Sequence, residues 1–357
     1  MMNTAGIGTA RLCHQQIAQP QLHTPAAVVQ WLGAMQAQDF AGAKWAIGLR
    51  MQQGTEQQVT AALENRSVIR TWANRGTLHF LAASDLRWIL HLLSSKSIAA
   101  SAGRNRQLGL DDEVFAQCRK HVVTALEKHA QLTRNELYAL LEKAGIATQT
   151  QRGIHILWRL SFEQLICFGA HQDKQPTFVL LDRHLPAQAA LPREEALARF
   201  AERYFNSHGP ATLADFAWWA GITQADARKG LEQVKNNLQH ATIEGQTYWM
   251  NPTIELSKPP SAVHLLPGFD EYLLGYKDRS AVLHADHAGK VVPGSNGMFM
   301  PTIVVNGQVA GLWKRDAGRK KIAFETDLFK PLSQTHTTAL KKAVKAYAAY
   351  LGADIVF

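Results

Sequence analysis

The sequence predicts a mainly α-helical protein with small β wings, an α+β fold with three winged helix-turn-helix units in tandem before a C-terminal β-rich subdomain. The middle of the chain first shows a helix, a capping box, two further helix patterns and a β-hairpin. The same order recurs with its capping threonine, Thr212, 79 residues after Thr133. A third copy, N-terminal to these two, has a related order of elements in which a short strand replaces the capping box.

The second unit shows the pattern most clearly. Val114, Cys118, Val122 and Leu126 recur at helical spacing, with acidic residues at the start, where the helix dipole favours them. The segment Thr133-Arg-Asn-Glu136 is a capping box that opens the next helix. The predicted helices are 111–129, 133–145 and 151–165, and the predicted hairpin strands are 165–168 and 177–181.

The other two units are expected on either side of it. The third has predicted elements at 193–207, 212–221, 223–234, 238–243 and 246–250. The first has them at 25–34, 35–38, 42–51, 55–65, 69–72 and 77–81, with a turn at Asn74-Arg75-Gly76. The predicted boundaries of the three units are 8–110, 111–190 and 191–256.

The C-terminal subdomain is expected to span 257–357 and to differ from the units before it. Two prolines make 257–260 a linker, because proline stops both helices and central strands. A helical turn is predicted around Glu271–Tyr276, and Asn306-Gly307 is a strong hairpin signal. A basic turn at 314–321, a strand at 322–324 and a helix at 336–350 complete the prediction.

Composition restricts the possible functions. The 357 residues are 46% hydrophobic and contain no apolar run long enough to span a membrane, so a cytoplasmic protein is expected. Three scattered cysteines argue against a disulfide framework. The net charge is +9, of which residues 40–110 contribute +6 and residues 258–357 contribute +5. Such concentration favours a polyanionic partner, although a solvated basic surface has the same composition.

The sequence offers little for cofactor chemistry. The pair His284-x-x-His287 has the spacing of metal ligands but no convincing third ligand and no apparent helix, so no metal site is predicted. Phosphate-binding, dinucleotide-binding and nucleophile-elbow motifs are absent, and no cofactor is expected. Gln36 and Gln38 are of interest because residues two apart share one face of a strand. Their amides could also simply bridge neighbouring backbone.

Four segments resemble the AlkZ-like winged-helix DNA glycosylases, the bacterial crosslink-repair and azinomycin-resistance proteins. The segments occur in family order and are 31–50, Arg70-Thr-Trp72 with Arg75-Gly-Thr-Leu-His79, 265–279, and Gly307-x-Val-x-Gly311-x-Trp313. The resemblance implies three winged helices curved around a basic channel. It also implies that Gln36 and Gln38 are the catalytic pair of a Gln-x-Gln signature, with Ala37 smaller than the aliphatic residue often found between them.

The implied activity is that of a monofunctional DNA N-glycosylase, a hydrolase of DNA repair acting on alkylation damage and interstrand crosslinks. An amide cannot act as a general base, whereas an N7-alkylated purine is already cationic and leaves readily. Positioning water and stabilising a cationic sugar would then suffice. Alkylated double-stranded DNA is the expected partner of a monomeric, nucleoid-associated enzyme.

Eleven residues are expected to contact DNA. They are Arg50, Arg70, Arg75, His79, Lys277, Arg279, Lys314, Arg315, Arg319, Lys320 and Lys321. Two other functions remain open at this stage. A noncatalytic DNA-binding protein or transcriptional regulator would read one operator through a recognition helix. A protein-interaction module would instead present apolar patches.

Overall fold

The computed structural model describes residues 4–172, 175–254, 262–294, 297–315 and 321–356. The predicted linker 257–260 lies outside these ranges, as do Arg319 and Lys320 of the basic turn. None of the helices in these ranges combines the length and the apolar composition that a membrane-spanning segment needs.

The first repeat of the element order spans residues 25–82 and follows an N-terminal helix, α1 (Thr4–His14). Its elements are α2 (Pro25–Leu32), β1 (Met35–Gln36), α3 (Phe40–Leu49), α4 (Glu56–Glu64), β2 (Val68–Trp72) and β3 (Leu78–Ala82). The strands form an antiparallel sheet in the order β1-β3-β2. The predicted hairpin is confirmed, and the turn between its strands is a short 3-10 helix in which Arg75 has a positive φ of 54°.

The second repeat, residues 112–180, has the same order. It consists of α6 (Asp112–Lys128), β4 (Leu132–Thr133), α7 (Arg134–Lys143), α8 (Arg152–Phe162), β5 (Ile166–Phe168) and β6 (Thr177–Leu180), after a connecting helix α5 (Ala83–Gln107). Its sheet order, β4-β6-β5, matches that of the first repeat.

The third repeat, residues 193–250, contains α9 (Arg193–His208), α10 (Leu213–Ala220), α11 (Gln224–Val234), β7 (Gln239–Ile243) and β8 (Gln246–Met250). Ala211 takes the place of the short strand by bridging to Trp249 of β8. The predicted capping boxes are confirmed, because Thr133 caps α7 with Glu136 and Thr212 caps α10 with Asp215.

The 25-residue helix α5 has no counterpart among the elements predicted from the sequence. Its first half is apolar and its second half is polar, so no continuous amphipathic stripe marks it. The helix also begins directly at the end of β3, where Ala82 provides no side-chain cap. Neither of the two usual helix signals was therefore present.

The C-terminal subdomain is built on a five-stranded sheet in the order β13-β12-β11-β10-β9. Its elements are β9 (Val263–Leu266), α12 (Glu271–Leu274), α13 (Ala285–Val291), β10 (Thr302–Val305), β11 (Gln308–Arg315), β12 (Lys321–Leu328), α14 (Gln334–Leu351) and β13 (Asp354–Val356). The predicted hairpin is confirmed, since Val305 pairs with Gln308 across Asn306-Gly307. Both turn residues have positive φ, as a type I′ turn requires.

The first repeat and the C-terminal subdomain share one buried core. Trp45 of α3 packs on Tyr347 and Tyr350 of α14, and its Nε1 donates to the carbonyl oxygen of Leu265 at 2.8 Å. Gly48 permits this approach, because a Cβ at that position would overlap the ring of Tyr350. Residues from the two ends of the chain are thereby fixed against each other.

Candidate active site

Gln36 and Gln38 lie together where β1 ends. Gln36 is 6% exposed and pairs with His79 of β3, whereas Gln38 is exposed. Gln36 Nε2 donates to Gln38 Oε1 at 3.0 Å, and the backbone N–H of Gln38 donates to Gln36 Oε1 at 2.9 Å. The regular strand covers only Met35–Gln36 of the predicted 35–38. The two side chains nevertheless contact each other, although Gln36 is buried and Gln38 is exposed.

The backbone between and after the glutamines is held by two side chains. Arg70 of β2 donates twice to the carbonyl oxygen of Ala37, from Nε at 3.1 Å and from Nη2 at 2.8 Å. Its guanidinium also lies 5.1 Å from the ring centroid of Phe40. Burial lowers the pKa of Arg70 to about 10, so it remains a cation at neutral pH. Asp39 accepts from the Gly42 N–H at 3.1 Å and caps α3.

Behind β1 lies a buried carboxylate that the sequence reasoning did not single out. Glu271 is 2% exposed, and its Oε1 accepts the backbone N–H of Gln36 at 2.9 Å. Its Oε2 accepts from Trp219 Nε1 at 2.9 Å and lies 3.4 Å from His208 Nε2. Burial acts to raise the pKa of Glu271, but the hydrogen bonds from His208 and from the Gln36 N–H lower it overall. A fixed negative charge therefore underlies the glutamine pair.

His79 does not match its expected role as a DNA contact. The ring is 1% exposed, and its Nδ1 lies 2.9 Å from the carbonyl oxygen of Thr77. Burial lowers the pKa of His79 to about 4, so the ring is neutral at physiological pH. A neutral, enclosed imidazole offers no charge to a phosphate, and that prediction is wrong.

Arg50 is also wrongly predicted to contact DNA. It is fully buried, and its two terminal nitrogens donate to the two Asp270 carboxylate oxygens at 2.9 and 2.8 Å. It donates further to Gln15 Oε1 and to the carbonyl oxygen of Ala46, each at 2.8 Å. This ion pair fixes α3 against the C-terminal subdomain and leaves the guanidinium inaccessible to DNA.

Arg75 and Arg279 are half-buried and share the indole of Trp218. Arg75 Nη1 donates to the carbonyl oxygen of Trp219 at 2.9 Å, at the C-terminal end of α10, and its guanidinium lies 4.1 Å from the Trp218 ring centroid. Arg279 donates to the carbonyl oxygen of Leu273 at 2.8 Å and lies 5.1 Å from the same centroid. The side chain of Lys277, two residues before Arg279, is exposed. Trp218 therefore brings Arg75 and Arg279 together, while Lys277 is close to Arg279 in sequence.

Only part of the basic turn can be described. Lys314 is exposed and forms an ion pair with Glu325 at 2.8 Å, while Arg315 lies 5.7 Å from the ring centroid of Tyr347. Arg319 and Lys320 fall outside the described ranges, and Lys321 is described only as the first residue of β12. The expectation that this turn grips DNA stays a prediction.

The histidine pair has the helical context that the sequence did not indicate, since His284 caps α13. The rings of His284 and His287 are 5.9 Å apart. Across the described ranges, no group of three His, Cys, Asp or Glu side chains could hold a metal ion.

A cavity of about 210 Å³ opens between the first and second repeats beside Arg70. Phe40, two residues after Gln38, lines it together with Phe168 and His171, and the rings of Phe40 and His171 are 4.5 Å apart. The lining therefore combines aromatic rings and cations with aliphatic side chains and the carboxylate of Glu64.

Residues missed by sequence reasoning supply much of the support for the pair. Glu271 and Asp270 stand in the segment Leu265–Arg279, which also carried part of the family resemblance. Two adjacent acidic residues in an otherwise apolar stretch were the available signal, because such carboxylates need partners when they are buried.

Comparison with known proteins agrees with this architecture. Residues 29–350 match the family model described as DNA glycosylase AlkZ-like. The interstrand DNA cross-link repair glycosylase of Streptomyces sahachiroi is 25% identical over 315 residues, covering 84% of this chain and 85% of that protein. The solved structure of Streptomyces sahachiroi DNA glycosylase AlkZ superposes with a TM-score of 0.83 at 23% identity, covering 99% of each chain, and shows the shared fold. Because the family model spans most of the sequence, this chain belongs to the AlkZ-like DNA glycosylase family.

Proposed function

We propose that this protein is a monofunctional DNA glycosylase that hydrolyses the N-glycosidic bond of N7-alkylated purines in duplex DNA, crosslinked purines included. Gln36 and Gln38 position the attacking water. The observation that carries the proposal is the contact between the two amides, one buried and one exposed, at the end of β1. The Streptomyces sahachiroi relative is named an interstrand DNA cross-link repair glycosylase, which supports glycosylase action on crosslinked DNA.

The chemistry suits amides because the substrate supplies its own leaving-group activation. In an N7-alkylated purine the C1′–N9 bond breaks with its electron pair moving to the cationic base, which leaves as a neutral molecule. The remaining sugar carries the positive charge, water attacks C1′, and the proton passes to solvent. A strong base is not needed for this sequence, whereas an oriented water and favourable electrostatics are.

The hydrogen bonds around the pair favour such orientation. Gln36 Oε1 is fixed by the backbone N–H of Gln38, and Gln38 Oε1 is fixed by Gln36 Nε2. Each oxygen retains a second lone pair that can accept from a water. The two acceptors are held before substrate arrives, so little reorganisation is required during the reaction.

For DNA binding we propose that the three repeats are winged helices, with units at 8–110, 111–190 and 191–256 before the subdomain 257–357. We propose that one protein molecule binds the duplex without preference for sequence and that Arg70 chiefly holds the Ala37 carbonyl. The proposed phosphate contacts are Arg75, Lys277, Arg279, Lys314, Arg315, Arg319, Lys320 and Lys321.

The decisive experiment measures release of 7-methylguanine from alkylated duplex DNA. We expect the unchanged protein to release the base and Gln36→Ala and Gln38→Ala to do so about 100-fold more slowly at unchanged affinity for DNA. Gln57→Ala is the matched control, because Gln57 is an exposed glutamine of the same repeat. No release by the unchanged protein, together with tight binding to one operator sequence, would identify a regulator instead.

A further inference from the structure

Glu271 connects three parts of the molecule at the back of the glutamine pair. Its donors are the Gln36 backbone on β1, the indole of Trp219 on α10 and the ring of His208 on α9. The first of these is the residue proposed to orient water. The carboxylate is therefore one hydrogen bond away from the backbone of the residue that is proposed to position water.

Among the described residues, no lysine or arginine side chain contacts the Glu271 carboxylate directly. The neighbouring Arg50 is engaged by both oxygens of Asp270. Burial lowers the pKa of His208, so we assign a neutral ring that donates from Nε2 to Glu271 and accepts the Ser207 hydroxyl at Nδ1. Arg75 is close enough to interact with Glu271 electrostatically, but it donates to backbone carbonyls of α10.

We propose that Glu271 is a positioning residue of this site: its buried carboxylate holds β1 and supplies fixed negative charge that stabilises the cationic sugar in the transition state. The inference rests on the proposed glycosylase function and deepens it. A charge fixed in a low-dielectric interior acts on a developing cation without the reorganisation that water would need. It also makes the C-terminal subdomain part of the catalytic apparatus, because Glu271 comes from α12.

Asp215 provides a matched control for this proposal. It is 2% exposed, and its carboxylate also accepts backbone N–H groups, from Thr212 at 3.0 Å and from Lys277 at 2.9 Å. Its hydrogen bonds lie at the start of α10 and before Arg279, and none of them reaches β1. Asp215→Asn therefore removes a buried carboxylate with comparable partners while leaving the Gln36 backbone bonded.

The experiment measures the affinity of full-length protein for two duplexes that contain abasic analogues. One carries a pyrrolidine ring whose protonated nitrogen mimics the cationic sugar, and the other carries a neutral tetrahydrofuran ring of similar shape. We expect the unchanged protein to prefer the pyrrolidine duplex and Glu271→Gln to lose about tenfold of that preference. Asp215→Asn is expected to retain it. Weakened packing would change both affinities together, so their ratio reports the charge.

Single-turnover excision gives the second readout. We expect Glu271→Gln to excise 7-methylguanine about 100-fold more slowly, with affinity for undamaged duplex unchanged. The variant loses the negative charge, and its NH2 group must face at least one of the three donors that the carboxylate accepts. Glu271→Asp keeps the charge on a shorter side chain and should keep the pyrrolidine preference while losing excision rate. That variant supplies the test if Glu271→Gln does not fold.

The outcomes separate this inference from the proposed function. The role of the Glu271 charge is refuted if Glu271→Gln keeps the full preference for the pyrrolidine duplex, or if the unchanged protein has no such preference. Slow excision by Gln36→Ala would still support the proposed function in either case. If Gln36→Ala and Gln38→Ala excise at the normal rate, the proposed function itself fails. Full excision activity in Glu271→Gln would also overturn the inference.

Discussion

The first and second repeats share their element order and sheet order but differ at one joint. In the second repeat, Thr133 is both the last residue of β4 and the N-cap of α7. In the first repeat β1 ends at Gln36 and the N-cap of α3 is Asp39. Ala37 and Gln38 are therefore extra residues between strand and cap. The third repeat resembles the second, because the bridging residue Ala211 directly precedes its cap, Thr212.

The longer joint distinguishes the repeat that carries the proposed catalytic pair from the other two repeats. A tight joint uses its polar side chain to satisfy free N–H groups at the start of the next helix. The longer joint gives that task to Asp39, so the amides of Gln36 and Gln38 bond to each other instead. The extra length leaves backbone that needs other support, and Arg70 and Glu271 provide it.

The largest expected effect concerns the tie between the first repeat and the C-terminal subdomain. Arg50→Met leaves the buried Asp270 carboxylate without its cation and should lower the free energy of unfolding by about 3–5 kcal/mol. Urea unfolding followed by circular dichroism measures the change. Lys314→Gln breaks an exposed ion pair, which solvent screens, and should leave the free energy of unfolding nearly unchanged. A loss below 1 kcal/mol for Arg50→Met would show that the tie contributes little to stability.

The next effect concerns His79, which pairs with Gln36 where the second repeat pairs Thr177 with Thr133. Its folded-state pKa of about 4 lies below the ordinary 6.5, so the unfolded chain takes up the proton first as pH falls. The contribution of the His79 ring to the free energy of unfolding is fully present above pH 6.5. It is lost as the pH falls towards 4, by about 3 kcal/mol in total.

We expect His79→Gln to remove that part of the acid sensitivity, which unfolding free energies at pH 7, 5.5 and 4.5 would measure. His240→Gln, on an exposed strand of the third repeat, is the control. Equal acid sensitivity in the unchanged protein and in His79→Gln would contradict the assignment of a buried neutral ring.

A smaller effect tests the joint itself. Asp39→Ala and Thr133→Ala each remove one N-cap, and each should cost about 1 kcal/mol of stability. Only Asp39→Ala is expected to slow excision of 7-methylguanine, by about tenfold, because its cap adjoins Gln38. Parallel thermal unfolding and single-turnover assays measure both quantities. Equal excision rates in the two variants would remove the functional distinction between the joints.

The smallest expected effect is on the salt dependence of DNA affinity, which should differ between the exposed Lys277 and Arg70, whose guanidinium is bound to a backbone carbonyl. Lys277→Gln should reduce the slope of log affinity against log salt by about 1, because one phosphate contact is lost. Arg70→Gln should leave the slope unchanged, since Arg70 is bound to the Ala37 carbonyl. Fluorescence anisotropy with an undamaged duplex measures both slopes. A reduced slope for Arg70→Gln would place that guanidinium on the DNA backbone.

Local patterns in the sequence predicted the parts of the site that local physics decides. The i, i+2 spacing of Gln36 and Gln38 predicted a shared face of a strand; the regular strand ends at Gln36, and the two amides are nevertheless in contact. The Thr133–Glu136 box and the Asn306-Gly307 turn were readable for the same reason, since each is satisfied by residues a few positions away.

The features that the sequence did not reveal depend on distant partners. Arg50 looks like an accessible cation until Asp270, 220 residues later, is placed beside it. In the sequence His79 looks like a histidine that titrates near neutral pH, but the packing of β3 excludes water from its ring. The role of Glu271 requires α9, α10 and β1 to meet, which no local pattern specifies.

The hydrogen bond from Gln36 to Glu271 joins residues 235 positions apart, and this sets the order in which the site can be completed during synthesis. The first repeat leaves the ribosome early, at roughly 5–20 residues per second, and can begin to fold as a unit. Residue 271 is synthesised roughly 10–50 seconds after the glutamine pair, so the pair lacks the Glu271 carboxylate during that time. A nascent or prematurely terminated chain that lacks residue 271 has the amides without their buried charge, so the complete site requires about the first three quarters of the chain.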